Sequence, residues 1–325
     1  MEYRRVGDSE LKVSAMALGS WLSLEYLDEG AGTDVIAAAI DQGINFFDDA
    51  RYDDHRDKLP MKSGFSEVHF GNMLRRGGFD RSRMIIANKF WHEFYPEQSM
   101  EQEIDASLQR LQLDHVDLMY STPPPETMPM EELVTNMGRL QDSGRFRAWG
   151  VVNWSAEKIQ EACDLARQLG ISTPCAAQLP YNILMPLTVE GEEIRKVLTG
   201  EKISVVASWC LMGGLLTGKY HNHSLPYGAR LDRKGLDRFV ENGQFEKAEK
   251  FVERARRFGM KPSRLALAFC LYNQKVCSLL FGATSATQIK DNVAALNTLE
   301  LIDEGTLFEL RTAIRKKLER KEIET

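Results

Sequence analysis

Residues 84–121 decide the fold: MIIANKF (84–90), then MEQEIDASLQRLQ (100–112), then VDLMYS (116–121). Two short apolar runs flank a longer segment of helical periodicity, which reads as strand, helix, strand. The same unit recurs in both directions. Upstream lie an apolar strand SAMALGS (14–20), a helix TDVIAAAIDQG (33–43), a strand INFFDD (44–49) and a helix FSEVHFGNMLRR (65–76). Downstream come a helix over 129–144, a strand RAWGVV (147–152), a helix over 155–170, a short strand CAAQ (175–178), a helical stretch near 190–200 and a strand SVVAS (204–208). An irregular segment is expected over 210–235. Helices over 243–259 and 262–273, a strand CSLLFG (277–282) and a helix over 287–296 follow.

Eight strand–helix alternations without a break in composition indicate a parallel α/β architecture. An open doubly wound sheet would alternate in the same way, so periodicity alone does not choose between sheet and barrel. The opening YRRVGDSELKVS (3–14) reads as a hairpin around Gly7-Asp8, and a barrel explains it better, because a hairpin can plug the N-terminal mouth. The expectation is one α/β domain over residues 1–325, a (β/α)8 TIM barrel with an N-terminal β-hairpin plug. A C-terminal helical extension over 305–325 ends in a charged tail.

The bulk numbers set bounds. A chain of 325 residues, 43% hydrophobic, is long enough for one such barrel. A formal net charge of -6 and the lack of any Lys/Arg block argue against a nucleic-acid surface. The first residues lack the apolar run of a signal peptide and no later stretch is long enough to span a bilayer, so a cytoplasmic protein without membrane contact is expected. Five cysteines in no metal-binding spacing read as reduced, mostly buried thiols.

Two motifs mislead. Gly213 to Lys219 fits GxxxxGK, but Tyr220 follows where a phosphate-binding loop needs Ser or Thr for magnesium. Gly30-Ala31-Gly32 resembles the start of a dinucleotide fingerprint, yet the third glycine is missing, and the segment reads as a helix entry.

Eight segments taken together, GINFFDDA, SEVHFGNML, IIANKFW, SLQRLQLDHVDLMY, PMEELV, GRFRAWGVVNWS, GGLLTGKY and LLFGATSATQIKDN, occur in the order found in aldo-keto reductases, and the chain resembles that family over nearly its whole length. LPYGAR (225–230) and GATSATQIKDN (282–292) make it most similar to the group that includes potassium-channel β subunits. The resemblance implies a nicotinamide cofactor, NADP(H), lying across the C-terminal mouth of the barrel, and a small-molecule carbonyl or alcohol substrate. Asp48, Lys89 and Thr122 end the second, third and fourth barrel strands, where such barrels place their chemistry.

Carbonyl reduction develops negative charge on oxygen, which calls for a proton donor backed by fixed positive charge. By resemblance, Asp48 and Lys89 take the family's carboxylate and lysine positions. The family tyrosine stands five residues after the aspartate. Here Tyr52 follows Asp48 by four, Asp53 holds the fifth position, and Tyr52 is taken as the proton donor with Tyr120 as substitute. Thr122 replaces the family histidine and can offer one neutral hydrogen bond, where loss of such a donor costs about 3 kcal/mol of transition-state stabilisation. His92 either enters the pocket from its loop or, on the plainer reading, is a surface residue. Pro123-Pro124-Pro125 stiffen the wall after Thr122. The polar loop 51–64 suits either plain solvation or a hydroxyl-rich substrate such as a sugar or polyol.

For the cofactor, the resemblance assigns Asn153 and Gln178 to the carboxamide. Trp209, Leu211, Gly214, Thr217, Gly218 and Lys219 fall to the pyrophosphate loop, and Arg230 to a phosphate. Gly282, Thr284, Gln288, Asp291 and Asn292 fall to the adenosine end. Lys219, Arg230, Thr284 and Gln288 together favour NADP over NAD. The leading expectation is an NADP(H)-dependent oxidoreductase. The alternatives are a cofactor-sensing regulatory module and transient use of the cofactor for epimerisation or elimination.

Overall fold

A computed structural model describes residues 1–51 and 64–315. Eight parallel strands close into a barrel: β3 (Met16–Gly19), β4 (Phe46–Asp48), β5 (Ile85–Phe90), β6 (Val116–Ser121), β7 (Phe146–Val152), β8 (Ala176–Pro180), β9 (Ser204–Ser208) and β10 (Val276–Phe281), which returns to pair with β3. The chain is a (β/α)8 barrel. Its surrounding helices include α1 (Glu29–Asp41), α2 (Phe65–Gly77), α3 (Met100–Leu111), α4 (Met130–Asp142), α5 (Ala156–Leu169), α6 (Leu187–Glu190) and α7 (Glu192–Gly200). They continue with α8 (Arg233–Glu241), α9 (Gln244–Arg257), α10 (Pro262–Tyr272), α11 (Ala286–Val293), α12 (Ala295–Leu299) and α13 (Glu304–Arg315).

Two apolar layers result from the period of two along each strand. Phe46, Ala87, Leu118, Tyr120, Ala148, Val152, Ala176 and Val206 fill the barrel. Their sequence neighbours Phe47, Ile86, Met119, Trp149, Val151, Ala177, Val205 and Ala207 face the helices. The register Lys89↔Tyr120↔Gly150↔Ala176 carries this alternation around the barrel. Asp48 therefore belongs to the inward set two residues after Phe46, and Lys89 two residues after Ala87.

The hairpin β1 (Tyr3–Arg5) and β2 (Lys12–Ser14) pairs in antiparallel register, Tyr3↔Ser14 to Arg5↔Lys12. Val6, Leu11 and Val13 join the interior cluster, so the hairpin plugs the N-terminal mouth as its alternation suggested. Gly7 makes the closure possible. At φ +53 its N–H donates to Ser204 Oγ at 2.8 Å, and a Cβ there would stand 2.3 Å from the Cys175 carbonyl oxygen.

The segment expected to be irregular, 210–235, holds a 3-10 turn, Met212–Thr217, and the first residues of α8. That helix went unread because its mean hydropathy is low and Leu236 is its one fully buried residue. At the C-terminus α13 packs on α9, which gives the helical extension; residues 316–325 lie outside the described set. Gly30 and Gly32 fall in the first turns of α1, capped by Asp28, as a helix entry requires. All five cysteines are buried free thiols. No helix among the described residues is long and apolar enough to cross a membrane.

Candidate active site

At the C-terminal mouth, Lys89 Nζ donates to Asp48 Oδ1 at 2.5 Å, with the two side chains 3% and 5% exposed. The carbonyl of Asp49 accepts from the same ammonium at 3.3 Å. Gln178, at the inward end of β8, donates Nε2 to Asp48 Oδ2 at 2.9 Å. Three strands thus bring a cation, a carboxylate and an amide to one point. The sequence expected Gln178 to hold a cofactor amide; the structure adds that it orients Asp48.

Tyr52 lies outside the described residues. Tyr120, its substitute, points into the barrel and is fully buried. Burial first, and then the Asp48 carboxylate, hold its pKa well above the usual phenol range. Gln178 is its near polar neighbour, but the Tyr120 hydroxyl makes no hydrogen bond of normal geometry. A phenol so enclosed forms part of the floor of the site, beside Asp48 and Gln178.

Thr122 N donates to the Phe90 carbonyl at 3.0 Å, and its hydroxyl to the Trp91 carbonyl at 3.2 Å. The one proton this residue could offer is therefore already given to backbone. His92 corrects the plainer sequence reading: it is 4% exposed, at φ +56, with its ring stacked on Phe90. Ser121 Oγ donates to the Thr122 carbonyl and so accepts from His92 Nε2 at 2.8 Å, which places the ring proton on Nε2. Nδ1 has no hydrogen-bond partner among the described residues. Burial lowers the His92 pKa to about 4, so the imidazole is neutral at physiological pH. Glu103 of α3 holds this turn by accepting from the N–H groups of Trp91 (2.8 Å) and His92 (3.3 Å).

Over the mouth runs the loop after β9. Trp209, Met212, Gly213, Gly214 and Gly218 all have positive φ. Asn182, which sequence reading missed, fixes its start: Nδ2 donates to the Trp209 carbonyl at 3.1 Å, while Oδ1 accepts from Leu184 N and Met185 N. Its partner is 27 residues away, so no local pattern could reveal it. Leu211 begins the 3-10 turn, and Thr217 closes it by donating to the Gly214 carbonyl at 2.7 Å. Lys219 folds back over Gly214, where a Cβ would stand 2.4 Å from Lys219 Cε. Burial, and then the charge of Arg230, lower the pKa of Lys219.

Arg230 lies between two indoles, 4.7 Å from the Trp21 ring centre and 5.2 Å from that of Trp209. Trp21 was likewise missed, because the loop after β3 carries no motif. Across the mouth, a Cβ on Gly282 would stand 3.1 Å from Ser23 Cβ. Thr284 N donates to Gln288 Oε1 at 2.8 Å, and both residues are exposed. Asp291 meets Lys261 at 2.6 Å and Arg264 at 2.8 Å, and Asn292 is buried. Asn153 is exposed at φ +60, and its N–H donates to the Gln178 carbonyl at 3.0 Å.

These residues fit a dinucleotide. A glycine cradle that a Cβ would fill, a lysine and an arginine beside it, and exposed amide and hydroxyl groups at the start of α11 lie around one mouth. The sequence profile of the Aldo/keto reductase family matches residues 15–306. This chain belongs to the aldo/keto reductase family. Members of that family are in general oxidoreductases that use nicotinamide cofactors. Over 334 aligned positions, covering 99% of either chain, the sequence is 30% identical to a probable voltage-gated potassium channel subunit beta of Arabidopsis thaliana. It has the same identity and coverage with a protein of that description from Oryza sativa subsp. japonica. In this aldo/keto reductase no group of three or more His, Cys, Asp or Glu among the described residues is placed to hold a metal ion.

Proposed function

We propose that this chain is an NADP(H)-dependent oxidoreductase acting on a small carbonyl or secondary alcohol. The observation that carries the reading is the buried Lys89–Asp48–Gln178 centre at the C-terminal mouth, beneath the loop of Trp209 to Lys219. Asn153 and Gln178 would meet the carboxamide, the 209–219 loop and Arg230 the phosphates, and Thr284 and Gln288 the adenosine end. The nicotinamide, when bound, gives or takes the hydride equivalent.

The protein's part is electrostatic. An oxygen that gains negative charge during reduction is stabilised by the Lys89 ammonium, whose position is fixed by Asp48 and the Asp49 carbonyl. Tyr52, four residues beyond Asp48, is proposed as the proton donor, with Lys89 favouring its phenolate. Thr122, with its hydroxyl given to the Trp91 carbonyl, orients substrate only by accepting or by contact.

Preference for the phosphorylated cofactor is supported at the adenosine end, where Lys261 and Arg264 both face the single carboxylate of Asp291 and leave net positive charge. The polar residues of loop 51–64 support a sugar or polyol as substrate class. The hydroxyl of Thr122 and the neutral His92 favour a second reading, a cofactor-sensing regulator of slow turnover. Titration with NADPH and NADH, followed by a panel of aldehydes, ketones and sugars, separates the two. Tight NADPH binding with rapid oxidation supports the enzyme; binding without turnover across the panel supports the regulator.

A further inference from the structure

Asp49 follows Asp48 but turns to the opposite side, away from the mouth. Its carboxyl is fully buried, accepts the Ser20 hydroxyl at Oδ1, and has no hydrogen-bond partner for Oδ2 among the described residues. Glu67 of α2 faces it, itself held by Arg110 Nε of α3 at 2.6 Å and Asn88 Nδ2 of β5 at 2.9 Å. Lys89 of β5 is the nearby cation, and it is paired with Asp48. Each neighbouring carboxylate already has its own cation, Asp48 the buried Lys89 and the buried Glu67 the partly exposed Arg110. An ionised Asp49 would set a third carboxylate against them with one oxygen unsolvated, an arrangement that low-dielectric surroundings strongly disfavour. Burial, and then the charge of Glu67, push the Asp49 pKa well above the ordinary carboxylate range, against the opposing pull of Ser20, the Ala50 amide and Lys89.

The same residue is tied into the backbone of the site. Asp49 N donates to the Ala87 carbonyl at 3.1 Å, Ser20 N donates to the Asp48 carbonyl at 3.0 Å, and the Asp49 carbonyl meets Lys89 Nζ. We propose that Asp49 is a positioning residue for Lys89, held as an uncharged carboxylic acid. Its side chain, pinned by Ser20, fixes the peptide whose carbonyl takes one ammonium proton, and its neutrality leaves the lysine directed at Asp48. This rests on the reading of Lys89 as the fixed cation of the reaction.

Infrared spectra of the unliganded protein at neutral pH test the protonation. The C=O stretch of a protonated carboxyl is expected in the wild type and absent in Asp49→Asn. Kinetics test the positioning. Wild-type kcat should show an alkaline step as Asp49 ionises; in Asp49→Asn that step should be absent, and the alkaline fall that remains should follow the loss of the Lys89 or Tyr52 proton. Asp49→Ala, which loses the Ser20 anchor, should have a kcat about tenfold below Asp49→Asn, with KM much less affected. An infrared band absent from the wild type or retained in Asp49→Asn, or superimposable pH profiles, overturns the proposal, and neither reading requires Asp49→Ala to fold. Should the chain turn over no carbonyl, the oxidoreductase reading fails on its own. The Lys89 resonance of 15N-lysine-labelled protein then takes the place of turnover. It should titrate at lower pH in Asp49→Asn than in the wild type, and equal titration overturns the positioning role.

Discussion

Lys89 Nζ and Asp48 Oδ1 are 2.5 Å apart, on adjacent strands and both nearly enclosed by protein. A buried pair of this kind is costly to break from one side, because the remaining charge is left without its partner. Lys89→Met is therefore expected to lower stability by about 3–5 kcal/mol and to reduce kcat by about two orders of magnitude or more. Combining it with Asp48→Asn should recover part of the stability but none of the rate. Denaturant unfolding of the single and double variants, with turnover measured in parallel, checks both halves; strictly additive stability losses would contradict the pairing.

Arg230 shares its faces with Trp21 and Trp209, so its charge and its stacking belong to one contact. Arg230→Ala should weaken NADPH binding by about tenfold or more, and Arg230→Lys should restore only part of it, since an ammonium keeps the charge without the planar stack. Tryptophan fluorescence during NADPH titration reports the event directly. Equal affinities in all three proteins would place the phosphates elsewhere.

Gly214, at φ +93, lies beneath the folded-back Lys219 side chain. Gly214→Ala adds a methyl where Cε and Nζ now lie, at 2.4 and 2.8 Å, and also strains the backbone. Cofactor affinity should drop about tenfold through displacement of the lysine. In a Lys219→Ala background the same alanine should change affinity far less, and calorimetric titration of the four proteins distinguishes the outcomes.

His92 predicts a pH signature. Its folded pKa of about 4 lies below the ordinary 6.5, so as pH falls below 6.5 the unfolded chain takes up a proton that the folded chain refuses. Stability from this residue is full above pH 6.5 and is lost progressively down to about pH 4, amounting to about 3 kcal/mol. His92→Gln removes the titration. The difference in unfolding free energy between wild type and variant should shift by that amount across the window, and a pH-independent difference would mean the ring titrates in the fold as it does in the unfolded chain.

Much of this architecture was legible in the chain. The alternation of MIIANKF, MEQEIDASLQRLQ and VDLMYS matches strands and helices close to those observed, and Asp48 stands at the end of its strand as read. Closure of the barrel was not legible in the periodicity, since β10 and β3 join residues more than 260 positions apart; it was the opening hairpin and the family resemblance that pointed to it. Site residues that hold chemistry of their own, such as Lys89, could be picked out. Those that work by holding others, Asn182, Ser20 and Glu103, could not, because their partners are set by the fold and not by spacing. His92 was misread for a related reason: a polar residue after a strand looks like loop until Ser121 and Phe90 are seen to enclose it.

The hairpin that seals the far mouth has a steric consequence. With Val6, Leu11 and Val13 corking one end and Phe46, Leu118 and Tyr120 packed behind them, no channel threads the barrel among the described residues, and Lys89 and Asp48 are backed by solid protein on the hairpin side.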